Sequence, residues 1–329
     1  MFQFFNRNTF ITYIALPVVL IILRLRLIIY PQQILTAADA DLYTPIWRNV
    51  FGGIAEGSTL SVALALVFSL IAVYIVNSIF NNFHFAEKQS GIAGLFYLFY
   101  SSAFVSSQGL HPIHVFILFL LLAILCLFYG AKSEKPMLSC FNGAFLITLG
   151  WFFWGKAAWF VIAFLIIQII LRRGDARSLV ATILGFITPL ILVSAYYFCN
   201  DTIHDTCNMF WRNTIAPVAF YRTGLYTRTY LGIYTILVIA SILNAIQEMH
   251  KLSIIESRYM RSVIWLLFIS ASVIALPHFS FEMLNIVAIS GGLLTSAFLQ
   301  RVRSSMWQEI ITTGFFICTL YIQWKMKYL

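Results

Sequence analysis

Charge is what this sequence has least of. Asp, Glu, Lys and Arg account for 10% of its 329 residues, against about 25% in an ordinary soluble chain. With 61% hydrophobic residues beside that scarcity, a chain folded wholly in water is excluded, because polar groups are too few to cover the apolar ones. Strict apolar–polar alternation over short segments, the mark of a transmembrane barrel, is lacking too. So are a Walker loop, a dinucleotide fingerprint, a Gly-x-Ser-x-Gly elbow and a His-Glu-x-x-His pair, which removes ATP-driven transport by this chain alone. Only five cysteines occur. Cys126, Cys140 and Cys318 fall in apolar runs and read as small core residues. Cys199 and Cys207 flank a polar loop, where a disulfide and two free thiols both fit.

What is present is a series of long apolar runs, near 9–30, 58–80, 91–108, 113–130, 138–155, 157–171, 178–199, 229–247, 262–276, 283–299 and 308–324. A helix of about 20 residues crosses roughly 30 Å of hydrocarbon, so the reading is an all-α, polytopic transmembrane helix bundle of about eleven spans. The fifth and sixth runs are parted by little more than Gly155-Lys156, and fit two short spans or a re-entrant pair. No repeat, heptad array or low-complexity linker divides the chain, which predicts one transmembrane domain over 1–329 with outside loops near 31–57 and 200–228. The first run is longer than a signal-peptide core and has no clean small-residue cleavage site, so it is read as a retained span. The net charge of +9 comes from basic residues at the ends of apolar runs, where they set topology rather than bind nucleic acid. Placing Lys132, Arg172, Arg173, Arg177, Arg258, Arg261, Arg301 and Arg303 on the cytoplasmic side places the amino terminus there as well. Lys325 and Lys327 fit that side only if the last run does not cross.

This orientation sorts the chemistry onto the outer face. Thr36 to Gly53 reads as the start of an amphipathic helix lying along the membrane, with Leu42, Ile46, Val50 and the aromatics turned to lipid. Its Asp39 and Asp41 are either a helix cap plus a solvated acid or a general base in a partly desolvated setting. Arg24 and Arg26, near the end of the first span, either snorkel to headgroups or face the bundle interior with a carboxylate or phosphate partner. His111 and His114 share a helix face and could hold a metal, but no third ligand is close in sequence, so no metal is assigned. Their other readings are interfacial capping and contact with substrate. Lys156, framed by Trp151, Trp154 and Trp159, fits an aromatic-belt anchor and equally a fixed cation for a phosphate. Arg212, Arg222 and Arg228 lie among Trp211, Tyr221, Tyr226 and Tyr230, a mixture suited to a phosphate with its sugar or polyprenyl group and also to lipid headgroups. His278 and Glu282 complete the outer set.

The stretch Phe141-Asn-Gly-Ala-Phe-Leu-Ile-Thr-Leu-Gly-Trp-Phe-Phe-Trp-Gly-Lys, with Leu171-Arg-Arg and Gly185-Phe-Ile-Thr-Pro-Leu, resembles an uncharacterised family of multi-spanning inner-membrane proteins of Bacteroidota. That family brings no activity with it. The order of features also resembles the GT-C superfamily, membrane glycosyltransferases that take a sugar from a polyprenyl-phosphate donor outside the cytoplasm. Asp39-Ala-Asp41-Leu-Tyr stands where such proteins carry an acidic motif and interfacial helix in the first outside loop, and Gly150 to Lys156 where they place a Gly-rich span ending in lysine. The resemblance implies an envelope glycosyltransferase of the bacterial inner membrane, with Asp41 or Asp39 as base and Lys156, Arg212, Arg222 and Arg228 on the donor phosphate. Arg24, Arg26, His111, His114, His278 and Glu282 are then further substrate contacts. No cofactor is specified, and a divalent cation is compatible. The expected partners are membrane lipid and a lipid-linked sugar donor. The chain is short and has no outside soluble domain, which separates it from many GT-C members. The rival expectation is a non-enzymatic transporter or envelope-assembly component.

Overall fold

Prolines and small polar residues punctuate the apolar runs and fix where helices begin. The structure, a computed structural model, describes all residues except Asn8, 31–42, Glu56, 134–135, 216–223, 276–280 and 326–329. The helices are α1 (Phe2–Phe5), α2 (Phe10–Leu23), α3 (Leu25–Ile29), α4 (Pro45–Phe51), α5 (Thr59–Asn82), α6 (Ile92–Ser101), α7 (Pro112–Lys132), α8 (Pro136–Phe153) and α9 (Phe160–Ile170). They continue with α10 (Ala176–Cys199), α11 (Ile203–Ile215), α12 (Leu225–Glu248), α13 (Ile254–Ala275), α14 (Leu284–Arg301) and α15 (Ser305–Lys325). Short 3-10 turns stand at Val105–Gln108, Gly155–Trp159 and Phe281–Met283. Thr44 caps α4, Ser58 caps α5 and Asp175 caps α10, each side chain accepting a backbone N–H that the first turn leaves unpaired. Five helices, α5, α7, α8, α10 and α12, are long and apolar enough to cross a membrane.

The bundle is organised around α6 and α14. Every residue of α6 is buried, and the two helices approach so closely that a side chain on Gly292 would meet the Tyr97 backbone nitrogen at 3.0 Å. Such contacts between small residues replace the hydrophobic drive that lipid cannot supply. At about 1.5 Å per residue α6 is only about 15 Å long, so its ends are buried and need partners. Gly91 N–H donates to the Phe5 carbonyl (2.9 Å) and Gly94 N–H to Asn77 Oδ1 (2.6 Å). Tyrosines around the pair are satisfied internally: Tyr100 and Thr295 hydroxyls lie 3.0 Å apart, and Tyr230 donates to the Phe99 carbonyl (3.2 Å).

The two ends of the bundle differ. At one, the Met1 ammonium pairs with Glu309, Arg301 donates to the Phe85 carbonyl, Arg173 caps the last carbonyls of α7, and Lys132 lies over the Phe83 and Tyr259 rings. At the other, Arg24 Nη1 donates to the Ala65 and Gln108 carbonyls, and Gln323 donates to the Ser102 carbonyl. Helix α15, with Glu309 at the first end and Gln323 at the second, therefore runs the height of the bundle. Cys199 and Cys207, at this second end, are exposed free thiols rather than a disulfide. If the second end faces outward, an impermeant maleimide applied to intact cells should label the wild type and not a Cys199→Ser/Cys207→Ser variant. A cysteine at Asp175 should react only after permeabilisation, and the opposite pattern would invert the orientation.

Two expectations are corrected. The first run is not one continuous helix, since α2 stops at Leu23 and α3 restarts at Leu25 around a non-helical Arg24. In the first outside loop the described helix is the seven-residue α4, and its Trp47 is buried on Phe51 rather than turned to lipid. The long amphipathic helix is α11, which sets Trp211 and Ile215 outward and Thr206 and Asn213 inward.

Candidate functional site

The start of α7 is built from His111-Pro-Ile-His114. Pro112 takes the first helical position, where its missing N–H costs nothing, and His111 Nδ1 accepts the Ile113 N–H (3.2 Å) as N-cap. His114 Nδ1 lies 3.3 Å from the His111 carbonyl, which ties the two rings to one turn. Because a carbonyl can only accept, His114 Nδ1 carries the proton and its Nε2 is left as the free position. That Nε2 is buried with no hydrogen bond among the described residues. Burial, and then the charge of Lys156, hold the His111 imidazole down to a pKa of about 3, so it is neutral at physiological pH.

Lys156 approaches from the turn between α8 and α9. It is 6% exposed, so its ammonium is not an anchor in the headgroups, and the belt reading fails. The turn is fixed from three sides. Trp154 packs on Phe116, with ring centroids 5.3 Å apart. Thr44 donates to the Phe153 carbonyl (3.0 Å). Helix α11 lies across it, with Thr214 Oγ1 donating to the Gly155 carbonyl (3.2 Å) and Trp159 Nε1 donating to the Thr214 carbonyl (3.4 Å). Gly155 has to be glycine, since a Cβ would meet Asn213 Cβ at 2.8 Å.

Arg24 enters from the break between α2 and α3. It is 1% exposed, which overturns the snorkelling alternative. Its Nη1 makes two 3.3 Å bonds to carbonyls, its Nε has no partner among the described residues, and His114 lies within its electrostatic reach. The Val105–Gln108 turn that receives Arg24 packs against the Phe281–Met283 turn. There Glu282 is 3% exposed, the one buried carboxylate among the described residues. Two cations, two histidines and a carboxylate from four separate stretches thus gather at one end of the bundle.

Other expected site residues stand elsewhere. Arg212 on α11 and Arg228 on α12 are exposed, and Arg26 is half-buried on α3. Asp39, Asp41, Arg222 and His278 lie outside the described residues. Among the described residues no three His, Cys, Asp or Glu side chains converge as a metal set. A cavity of about 200 Å³ between α8, α10 and α11 is lined by Trp151, Phe152, Tyr197, Phe210 and Trp211 among others, with no carboxylate or cation. It is not the mixed acid-and-cation cavity expected of a transferase centre. Gln108 and Asn213, each buried with one side-chain atom lacking a partner among the described residues, are the residues the sequence reading missed. The spacing of Thr206 and Asn213, seven apart on one face of α11, was the available signal.

Helices of membrane length, a buried ionisable array at one end and basic residues capping the other define a helical membrane protein with a polar site inside it. The chain belongs to the family of unknown function DUF6427, which it matches over residues 53–329. No curated protein and no solved structure matches it.

Proposed function

We propose that this protein is a GT-C-like glycosyltransferase of the bacterial inner membrane, moving a sugar from a polyprenyl-phosphate carrier to an acceptor outside the cytoplasm. The observation that carries this reading is the burial of Arg24 and Lys156 beside the His111–His114 pair. Keeping a charge from water costs several kcal/mol, and the phosphate of a lipid-linked donor offsets that cost with charge-assisted hydrogen bonds. About eleven crossings with a cytoplasmic amino terminus suit the full-height α15 and the basic first end. Glu282, the buried acid of the neighbouring turn, is assigned the base role ahead of Asp41 and Asp39. It takes the proton of the acceptor hydroxyl as that oxygen attacks the anomeric carbon. The bond from that carbon to the phosphate oxygen breaks, its electron pair stays on the phosphate, and Lys156 and Arg24 hold the charge.

With purified protein and a polyprenyl-phosphate sugar, Lys156→Met should weaken donor binding by about ten- to a hundredfold, the worth of one hydrogen bond to a charged group. Absence of sugar transfer from every such donor by the folded wild type would sink the proposal. One observation favours a carrier instead: a membrane helix broken at Arg24 beside the half-length α6 is the kind of interruption transporters use at their binding sites. Movement of lipid phosphate across proteoliposomes without bond cleavage would select that reading.

A further inference from the structure

Helix α11 meets the bundle in two ways. Near its last turn Thr214 Oγ1 donates to the Gly155 carbonyl (3.2 Å), and the indole N–H groups of Trp151 and Trp159 donate to the Thr214 hydroxyl and carbonyl (3.4 Å each). Its first turns instead cover the cavity of about 200 Å³ against α8 and α10, where the Phe152 and Phe210 rings stand edge to face with centroids 5.7 Å apart. Leu190 and Val193 of α10 complete the wall, and no carboxylate or cation lines it. Water needs two to four polar partners, and an apolar cavity of roughly 150 Å³ stays dry and takes benzene instead. A sugar or a phosphate would give up its hydration for walls that return no hydrogen bonds. Hydrocarbon is what remains.

Two features say where that hydrocarbon comes from. The rim is exposed at Ser194, Cys207 and Trp211, and α10 continues from it with Ile187, Ile191 and Leu192 exposed as well. The cavity thus opens onto an apolar flank of the kind a bilayer covers. Past the cavity, Asn213 and Thr214 close on the Gly155 turn, where even a methyl on Gly155 would meet Asn213 Cβ at 2.8 Å. Lys156 is not part of the lining. A chain in this cavity therefore enters from the bilayer and not from the Lys156 array.

We infer that the cavity binds one acyl chain of a bilayer phospholipid, which packs beneath the first turns of α11 and seats them. The inference does not depend on the transferase reading. Glycerol and head group stay outside at the rim, so selection is by the chain. Because the second half of α11 holds the Lys156 turn, the bound chain steadies the helix that fixes that turn.

Cys207 reports occupancy without any substitution. It is an exposed free thiol on the cavity wall, whereas Cys199, also exposed and free at the end of α10, does not line the cavity. Full-length protein is freed of lipid in a fluorinated surfactant, whose tails do not mix with hydrocarbon. It is then treated with N-ethylmaleimide, and both thiols are followed by peptide mass spectrometry. With dioleoyl phosphatidylglycerol or dioleoyl phosphatidylcholine at about ten times its Kd, Cys207 should react about five- to tenfold more slowly as the empty fraction falls. Cys199 should react at an unchanged rate, and amide exchange over 203–210 should slow together with Cys207 labelling. Ser194→Trp, which puts an indole across the mouth, should make Cys207 labelling independent of lipid; the wild-type comparison stands if that variant does not fold. Equal Cys207 labelling with and without phospholipid, equal slowing at Cys199, or a lipid dependence that survives in Ser194→Trp overturns the site. Protection by undecaprenyl phosphate at lower concentration than by either phospholipid gives the cavity to an isoprenoid tail and overturns the acyl assignment.

Discussion

Glu282→Gln should lower sugar transfer by roughly 10²–10⁴-fold, the usual contribution of a general base, while leaving donor binding and yield near the wild type. The substitution keeps the shape of a side chain that is 3% exposed and removes only its capacity to take a proton. Asp41→Asn and Asp39→Asn are the companion measurements. If Glu282 is the base, neither should approach its effect; a full loss in Asp41→Asn with an active Glu282→Gln would return the role to the first outside loop. A drop in kcat without a matching rise in KM separates loss of the base from loss of a binding contact. Wild-type kcat in all three variants would leave the proposed chemistry without a proton acceptor.

The second large effect concerns folding. A Cβ on Gly185 of α10 would sit 2.4 Å from the Phe141 carbonyl oxygen and 2.9 Å from the Ala144 Cβ of α8. A backbone carbonyl inside a helix cannot move aside, so Gly185→Val must part the two helices. Helix α10 has few other neighbours, being largely exposed and packed mainly on α8. The variant should lose more than the 1–3 kcal/mol typical of overpacking, read as a collapse of folded yield and of the detergent melting temperature. Gly314→Ala is the control, since nothing lies within 4 Å of its added methyl and a helical Gly→Ala change should stabilise by about 0.5–1 kcal/mol. A Gly185→Val protein as stable as wild type would mean that α8 and α10 do not meet there.

The helices were largely legible in the sequence because apolar composition and length are local properties. The runs near 58–80, 113–130, 138–155, 178–199 and 229–247 correspond to α5, α7, α8, α10 and α12 within a few residues. Local composition misleads elsewhere. The run 91–108 looks like a full span because Ser101, Ser102, Ser106 and Ser107 sit among aromatics and small residues, yet the helix ends at Ser101. The first outside loop drew attention through its two acids, while α11, richer in polar residues, hid its amphipathic pattern. For Arg24 and Lys156, position near the end of an apolar run fits lipid headgroups and bundle interior equally, and only the packing of sequence-distant turns decides between them. Glu282 stood out by its place in an outside loop, but its burial depends on a turn at Val105–Gln108 that lies far away in the chain.

Helix α6 also sets an order of events during synthesis. Its chief neighbour, α14, begins at Leu284, some 180 residues after α6 ends. At about 5–20 residues per second the ribosome needs on the order of ten to forty seconds to deliver it. For that interval a ten-residue helix, too short to bridge the bilayer, has α5 and α2 beside it and an open flank where α14 will later lie. A nascent chain stalled before Leu284 would therefore display Tyr97 and Tyr100, the residues that meet Gly292 and Thr295 of α14, to lipid or to the insertion machinery.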